Sequence, residues 1–346
     1  MLQITCTGTP HSIGLQHGKT ASLEISRSIA FYASLFLKLS KLDWPAVTQL
    51  ALKYQPYLSE NWPQYISEME GVAAGAGVKY EDILALNVRT EIAFGAFSDG
   101  CTALSWKGEG VSVLAQNWDW NNDQLKNMIC LKIKKEDGLG IEMISEAGII
   151  GKIGLNSKGV GCTLNALKAK GVSFSSLPCH LALRTVMESS SRATAISTLE
   201  ASGVASSCHI LVADATGGTG LECTSEDIVR LEMNTNGIVT HTNHMIVKHK
   251  DTVIEAEDWL PDTRFRLERI GELLDGVKNK GVSVESVQKL LLDEKMGCGA
   301  SICRSETEVN GSLATLFSIV MDLDAKTAKV SMGRPVEPVE KLILSP

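Results

Sequence analysis

The spacing of apolar residues changes near residue 100, and that change limits the folds open to this chain. Before it, apolar side chains recur three and four apart, as at Ile25, Ile29, Tyr32 and Leu35, so residues 13–97 read as helices. Breaks are expected at Asp43-Trp44-Pro45, Asn61-Trp62-Pro63 and Gly75-Ala76-Gly77, where Pro or paired Gly interrupt the pattern. A short apolar strand over residues 2–6 precedes them. From Cys101 onward β-rich runs at 111–115, 128–133, 140–144, 149–155 and 160–164 alternate with turn formers, and the charged stretch 132–137 reads as a hairpin tip. Helices return over 180–189 and 193–201, strands follow at 210–213, 228–232 and 238–241, then helices at 263–274 and 284–293. A strand pair at 314–323 and 328–332 closes the chain. Hairpin strands flanked by helix groups predict an α+β fold of mainly antiparallel sheets with helices outside them. No Gly-x-Gly-x-x-Gly follows a strand and no P-loop is present, so no nucleotide cofactor is expected.

Charge and cysteine usage remove other classes. Lys and Arg number 33 against 40 Asp and Glu, a net −7 with no basic block, which argues against nucleic-acid or membrane partners. Nine cysteines, an odd number spread over 346 residues, do not make a disulfide scaffold and suit a reducing compartment. Neither the Cys298/Cys303 nor the His241/His244 pair has a second pair at zinc-site spacing, so no metal is expected. The first residues lack a signal-peptide pattern, and the apolar run 29–37 is shorter than the roughly 20 residues of a membrane span. The expectation is a soluble, cytoplasmic protein.

The chemistry concentrates at the change of pattern. In Ser98-Asp99-Gly100-Cys101-Thr102 a glycine leaves its carbonyl unshielded and free to take strained geometry beside a thiol. Attack by that thiol gives a thioester, whose hydrolysis makes Cys101 a new amino terminus. An α-amine has a pKa of about 7.7 to 8.0, so one residue supplies both nucleophile and general base. A competing motif, Gly299-Ala300-Ser301-Ile302-Cys303, has the outline of a serine-hydrolase elbow with His241 or His244 as base. It lacks the strand before and the helix after, so Ser301 is read as supporting or lining the thiol pocket. His17 and His180 read as packing or helix-surface residues.

Several runs closely resemble the fungal acyl-coenzyme A:6-aminopenicillanate (isopenicillin N) acyltransferases, which are N-terminal nucleophile hydrolases. They are Asn87-Val88-Arg89-Thr90-Glu91, Asp99-Gly100-Cys101-Thr102, Gln116-Asn117-Trp118-Asp119, Glu146 to Gly154, His241-Thr242-Asn243-His244 and Ser301-Ile302-Cys303-Arg304. Their order and spacing hold from Gly8-Thr9-Pro10 to Gly333-Arg334-Pro335. The resemblance implies a four-layer αββα sandwich made as one precursor and self-cleaved between Gly100 and Cys101. Residues 1–100 would form a helical α subunit and 101–346 a sheet-rich β subunit, associated as a heterodimer within one domain. It further implies Cys101 as nucleophile, Asp119 as the carboxylate holding its α-amine, Asn243 as oxyanion donor and Arg304 as the cation favouring the thiolate. Asn87, Arg89 and Glu91 would form a polar network supporting the cleavage site and substrate mouth. Coenzyme A would be a substrate, not a cofactor. The acceptor stays open between an amine such as 6-aminopenicillanate and water, with hydrolysis of β-alanyl-type amines as the other enzymatic reading and an uncut binding homologue as the non-enzymatic one. The chain ends Leu344-Ser345-Pro346, where the penicillin enzymes carry a peroxisomal tripeptide, and Thr224 stands where they carry a serine on the substrate side.

Overall fold

A computed structural model describes residues 1–93, 100–256, 259–308 and 311–346. Ser98 and Asp99, which precede Gly100 and Cys101 in the Ser98-Asp99-Gly100-Cys101-Thr102 motif, lie outside the described residues. The chain begins with β1 (Leu2–Gly8) and runs through α1 (Pro10–Thr20), α2 (Ser22–Ser40), α3 (Trp44–Ala51), α4 (Gln55–Asn61), α5 (Pro63–Ala76), α6 (Tyr80–Asn87) and α7 (Arg89–Ala93). Strands β2 (Gly100–Gly108), β3 (Val111–Asn121), β4 (Met128–Lys135), β5 (Gly140–Glu146), β6 (Ile153–Asn156) and β7 (Gly161–Ala166) follow. After α8 (Cys179–Met187) and α9 (Arg192–Ser202) come β8 (Cys208–Asp214), β9 (Gly217–Cys223), β10 (Ile228–Leu231) and β11 (Ile238–His241). Helices α10 (Asp262–Asp275) and α11 (Val284–Leu290) precede β12 (Leu313–Asp322), β13 (Thr327–Met332) and β14 (Glu340–Leu344).

The strands form two sheets, one of eight in the order β1-β4-β5-β6-β7-β8-β9-β10 and one of six in the order β11-β2-β3-β12-β13-β14. They stack through β2 and β3 against β7, β8 and β9. Helices α8 and α9 cover the eight-stranded sheet, and α10 and α11 cover the six-stranded one. All seven residues of β5 are buried, as a strand covered on both faces must be. The α+β expectation and its four-layer αββα form therefore hold. Every described strand pair is antiparallel except β1 with β4, which draws the first residues of the chain into the larger sheet.

Local chemistry sets the helix boundaries. Thr9 and Asp43 cap α1 and α3 by accepting from Ser12 N and Ala46 N, each with a proline in the first turn. Gly75 is not a break: α5 continues through it and ends where Gly77 takes φ 71°. Gly71 and Gly75 instead let α5 cross α1 at backbone contact. A Cβ on Gly71 would lie 2.2 Å from His11 O, and one on Gly14 would lie 1.9 Å from Glu68 O.

Four strand expectations needed revision: the pair at 314–323 and 328–332 does not close the chain, because β14 follows and pairs antiparallel with β13. Strand β6 starts at Ile153, not 149, because Asn87 grips the preceding turn, donating to Gly148 O and accepting from Ile150 N. Strand β4 runs through Lys135, so only the end of the 132–137 stretch turns. The glycine-rich β9 was not foreseen; its Gly218 and Gly220 leave room for Ser105 and His209, which a Cβ would meet at 2.4 and 2.5 Å. Among the described residues no helix is long and apolar enough to cross a membrane.

Candidate active site

The site is built on the first residues of β2. Across the β2–β3 ladder Gly100 faces Asp119 and Cys101 faces Trp118. Strand alternation therefore puts the Cys101 thiol on the face of Trp118, opposite the face of Gly100 and Asp119. Cys101 is fully buried. Strand β11 pairs with β2 and delivers Asn243 just beyond its end, so that Cys101 N donates to Asn243 Oδ1 at 2.9 Å. The Asn243 amide donates from Nδ2 to Ala166 O at 3.1 Å, and its own N–H donates to Thr263 Oγ1.

Arg304 reaches the other face from the segment ahead of β12. Its backbone N donates to Thr315 Oγ1, and Thr315 N returns a bond to Arg304 O. With the backbone pinned, Arg304 Nε donates to Asp119 Oδ2 at 3.0 Å and Nη2 to Asp262 Oδ2 at 2.5 Å, while Thr315 Oγ1 donates to Asp119 Oδ1 at 2.7 Å. Burial pushes the Asp119 carboxyl up, against the pull of Arg304 and Arg266. At Asp262 the same burial is outweighed by Arg266 and Arg304, and its carboxyl is held below the usual range. Burial opposes charge on Arg304 as well, but the two aspartates outweigh it and raise its pKa.

This network explains the glycine. Gly100 lies in strand backbone and is absent from the described residues with left-handed φ, so strained geometry is not what requires it. Space is: a Cβ there would sit 2.7 Å from Arg304 Nη2 and 2.8 Å from Asp119 Oδ2.

The structure thus brings Gly100, Cys101, Asp119, Asn243 and Arg304 together, with two departures from expectation. Asp119 bonds Arg304 and Thr315, and the acceptor at Cys101 N is Asn243. The expected trio of Asn87, Arg89 and Glu91 is buried but is not one network. Asn87 holds the turn before β6, Arg89 Nη2 donates to Glu146 Oε2, and Glu91 accepts from Cys179 N and Ser206 Oγ. Ser301 Oγ donates to Cys303 O, tying down the segment that carries Arg304. His241 has both ring nitrogens engaged, at 2.9 Å to Glu222 Oε1 and 2.9 Å to Thr242 O. His17 and His180 are fully buried, which leaves packing and not the helix surface. Thr224 bonds Asp227 within its own turn and does not line the cavity beside Trp118.

Sequence reasoning missed Asp262, Arg266, Thr315 and the Glu146 cluster. Glu146 accepts from Tyr32, Arg89, Gln124 and Lys152, and the Lys152 ammonium lies 3.8 Å from the Trp118 ring centre. The Asp262/Arg266 spacing of four was visible, but it reads as an ordinary helix-surface pair. Arg89, Lys152 and Trp118 line a cavity of about 290 Å³ together with Trp120, Leu164, Leu167, Lys168 and Lys170. Ala166, whose carbonyl holds Asn243, is part of the same wall. Among the described residues no group of three His, Cys, Asp or Glu could hold a metal ion.

The model of the acyl-coenzyme A:6-aminopenicillanic acid acyl-transferase family matches residues 106–337. The chain is also 37% identical over its full length to the 40 kDa form of acyl-coenzyme A:6-aminopenicillanic-acid-acyltransferase from Emericella nidulans, covering 96% of that protein. The chain belongs to this acyltransferase family. Its fold is that of the N-terminal nucleophile hydrolases. A variant of conjugated bile acid hydrolase from Clostridium perfringens aligns over 71% of this chain and 92% of its own with a TM-score of 0.51 at 16% identity. A second variant of that hydrolase aligns over the same shares with a TM-score of 0.50. As a member of this family the chain is an acyl-transfer enzyme.

Proposed function

We propose that the chain cleaves itself between Gly100 and Cys101 and then transfers acyl groups through a Cys101 thioester. The observation that carries the reading is the placement of Cys101: second residue of a buried strand, thiol on the face of Trp118, and backbone N–H held by Asn243. In maturation the thiol adds to the Gly100 carbonyl and the peptide nitrogen leaves as the Cys101 α-amine, taking the thiol proton. Water then hydrolyses the Gly100 thioester, which frees the thiol. In turnover the α-amine takes the thiol proton, sulfur attacks the acyl carbonyl, and the proton passes to the leaving amine or thiol. An amine or water resolves the acyl-enzyme, with Asn243 as oxyanion donor. Residues 1–100 and 101–346 are the α and β subunits of the resulting heterodimer.

The cavity supports an anionic substrate with an apolar acyl group. Its described lining holds Lys168, Lys170, two tryptophans and no carboxylate, together with Arg89 and Lys152, which share the single carboxylate of Glu146 behind the wall, so positive charge is in excess. The carboxylate of 6-aminopenicillanate and the phosphates of an acyl-coenzyme A suit such a lining, whereas the ammonium of a β-alanyl amine is repelled by it.

The test is intact mass and electrophoresis of the recombinant protein, followed by coenzyme A release from phenylacetyl-coenzyme A with and without 6-aminopenicillanate. Wild type splits at Gly100/Cys101, Cys101→Ala stays one chain, and the amine accelerates release. A wild type that stays uncut under all conditions ends the self-processing reading, and release indifferent to the amine ends transfer to that acceptor.

A further inference from the structure

Arg266 lies beneath the same site and is fully buried. From the second turn of α10 its Nη1 donates to Cys101 O at 2.5 Å and to Thr102 Oγ1 at 3.2 Å, and its Nη2 donates to Asn243 Oδ1 at 2.8 Å. Its Nε donates to Asp262 Oδ2, the oxygen that also receives Arg304. One guanidinium thus holds the nucleophile's carbonyl, a neighbouring hydroxyl, the acceptor of the nucleophile's N–H and the carboxylate shared with Arg304.

Asn243 has one carbonyl oxygen and one NH₂, and which end faces the thiol decides what it can do there. Its Oδ1 receives two donors, Cys101 N–H and Arg266 Nη2. Both would be left facing an NH₂ if the amide turned over, so Nδ2 is directed to Ala166 O on the cavity wall. Cys101 N–H alone is a weaker lock, because on cleavage it becomes an amine that can accept as well as donate. Arg266 has no such second state.

We propose that Arg266 is the positioning residue of the acyl-transfer site: it fixes the orientation of the Asn243 amide and the Cys101 carbonyl, so that Nδ2 faces the developing oxyanion. This rests on the reading of Cys101 as nucleophile. Asp262 in turn fixes Arg266 and joins it to Arg304, so the guanidinium approaches Cys101 from a charge-balanced base.

The experiment is a double-mutant cycle between Arg266→Gln and Asn243→Ala. Turnover of phenylacetyl-coenzyme A is measured per mole of self-cleaved, monodisperse protein collected from gel filtration, so that misfolded protein does not count. Removing one oxyanion donor typically costs about 10² to 10³ in rate, and misdirecting it a large part of that. Arg266→Gln is expected to lose about 10- to 100-fold in kcat, with KM within about threefold. In the Asn243→Ala background the same replacement is expected to cost less than about threefold, because its target is gone. Equal factors in both backgrounds, or full kcat for Arg266→Gln, overturn the proposal. Arg266→Lys is measured alongside, since it keeps a cation beside Asp262 but cannot span Cys101 O and Asn243 Oδ1 together. Full activity in this variant overturns the proposal as well. Turnover by Cys101→Ala would instead remove the nucleophile reading, whatever the cycle gives.

Discussion

Gly100 shows how much one missing carbon decides. A Cβ there would be 2.7 to 2.9 Å from three polar atoms of the Arg304–Asp119 pair, and neither partner can retreat. Arg304 is anchored at both ends, by Thr315 on its backbone and Asp262 on its guanidinium, and Asp119 is fixed by Thr315. Overpacking a site of this kind costs about 1 to 3 kcal/mol, taken from the geometry that aligns the scissile peptide. Gly100→Ala is therefore expected to fold with a melting temperature lowered by several degrees and to cleave at least about tenfold more slowly than wild type. Time-resolved electrophoresis of freshly purified protein follows this, and a Gly100→Ala chain that matures at the wild-type rate contradicts it. The dipeptide was legible in the sequence, but its reason was not. The sequence suggests an unshielded carbonyl and freedom for strain; the structure shows extended backbone and a crowding ion pair assembled from residues 185 positions apart.

At the scale of elements, α1 is the clearest case of a helix whose face is set by another. The stripe Gly14, Gly18 meets Gly71, Gly75 of α5 at backbone contact, and this close crossing drives His17 into the interior. There His17 Nε2 accepts from Gly148 N at 3.1 Å, linking α1 to the turn that carries Glu146 toward Lys152. Burial, with Arg184 nearby, pushes the His17 imidazole down to about 4, from 6.5. The folded state therefore binds this proton less readily than the unfolded chain. Stability is fully present above about pH 6.5 and falls as pH drops toward 4, by roughly 2 kcal/mol between pH 7 and 5. His17→Gln, which keeps an acceptor but does not titrate, is expected to lose about that much less over the same interval in urea unfolding. Parallel pH slopes for the two proteins would contradict the assignment. Helix and strand periods were legible because burial imposes them on one chain segment at a time. The glycine stripes were not, because Gly75-Ala76-Gly77 reads as a break until α1 is known to lie against it. Asp262 and Arg266 escaped for the same reason: their spacing is local, but their partners Cys101, Asn243 and Arg304 come from three other elements.

For the whole molecule, sheet, core and polar contacts all cross the boundary near residue 100. Strand β1 pairs with β4 over seven registered residues, from Leu2 with Ile129 to Gly8 with Lys135. One continuous core joins Ile25, Tyr32, Phe36 and Leu86 from the helices to Trp118, Ile144, Ile150 and Leu183 from the later part. Buried polar links cross the same boundary. Arg184 donates to both Glu68 oxygens at 2.7 and 2.9 Å, and Arg89 and Tyr32 both reach Glu146. Cutting one peptide bond at Gly100 removes none of these contacts. Separating the pieces would expose the core at about 25 cal/mol per Å² and strip Glu68 of Arg184, and Glu91 of Cys179 and Ser206. Cleaved protein is therefore expected to run as a single species of uncleaved size on gel filtration and to melt in one transition, with two bands only under denaturing conditions. Elution of a 1–100 fragment apart from 101–346 in native buffer would show that the shared sheet and core do not hold the two together.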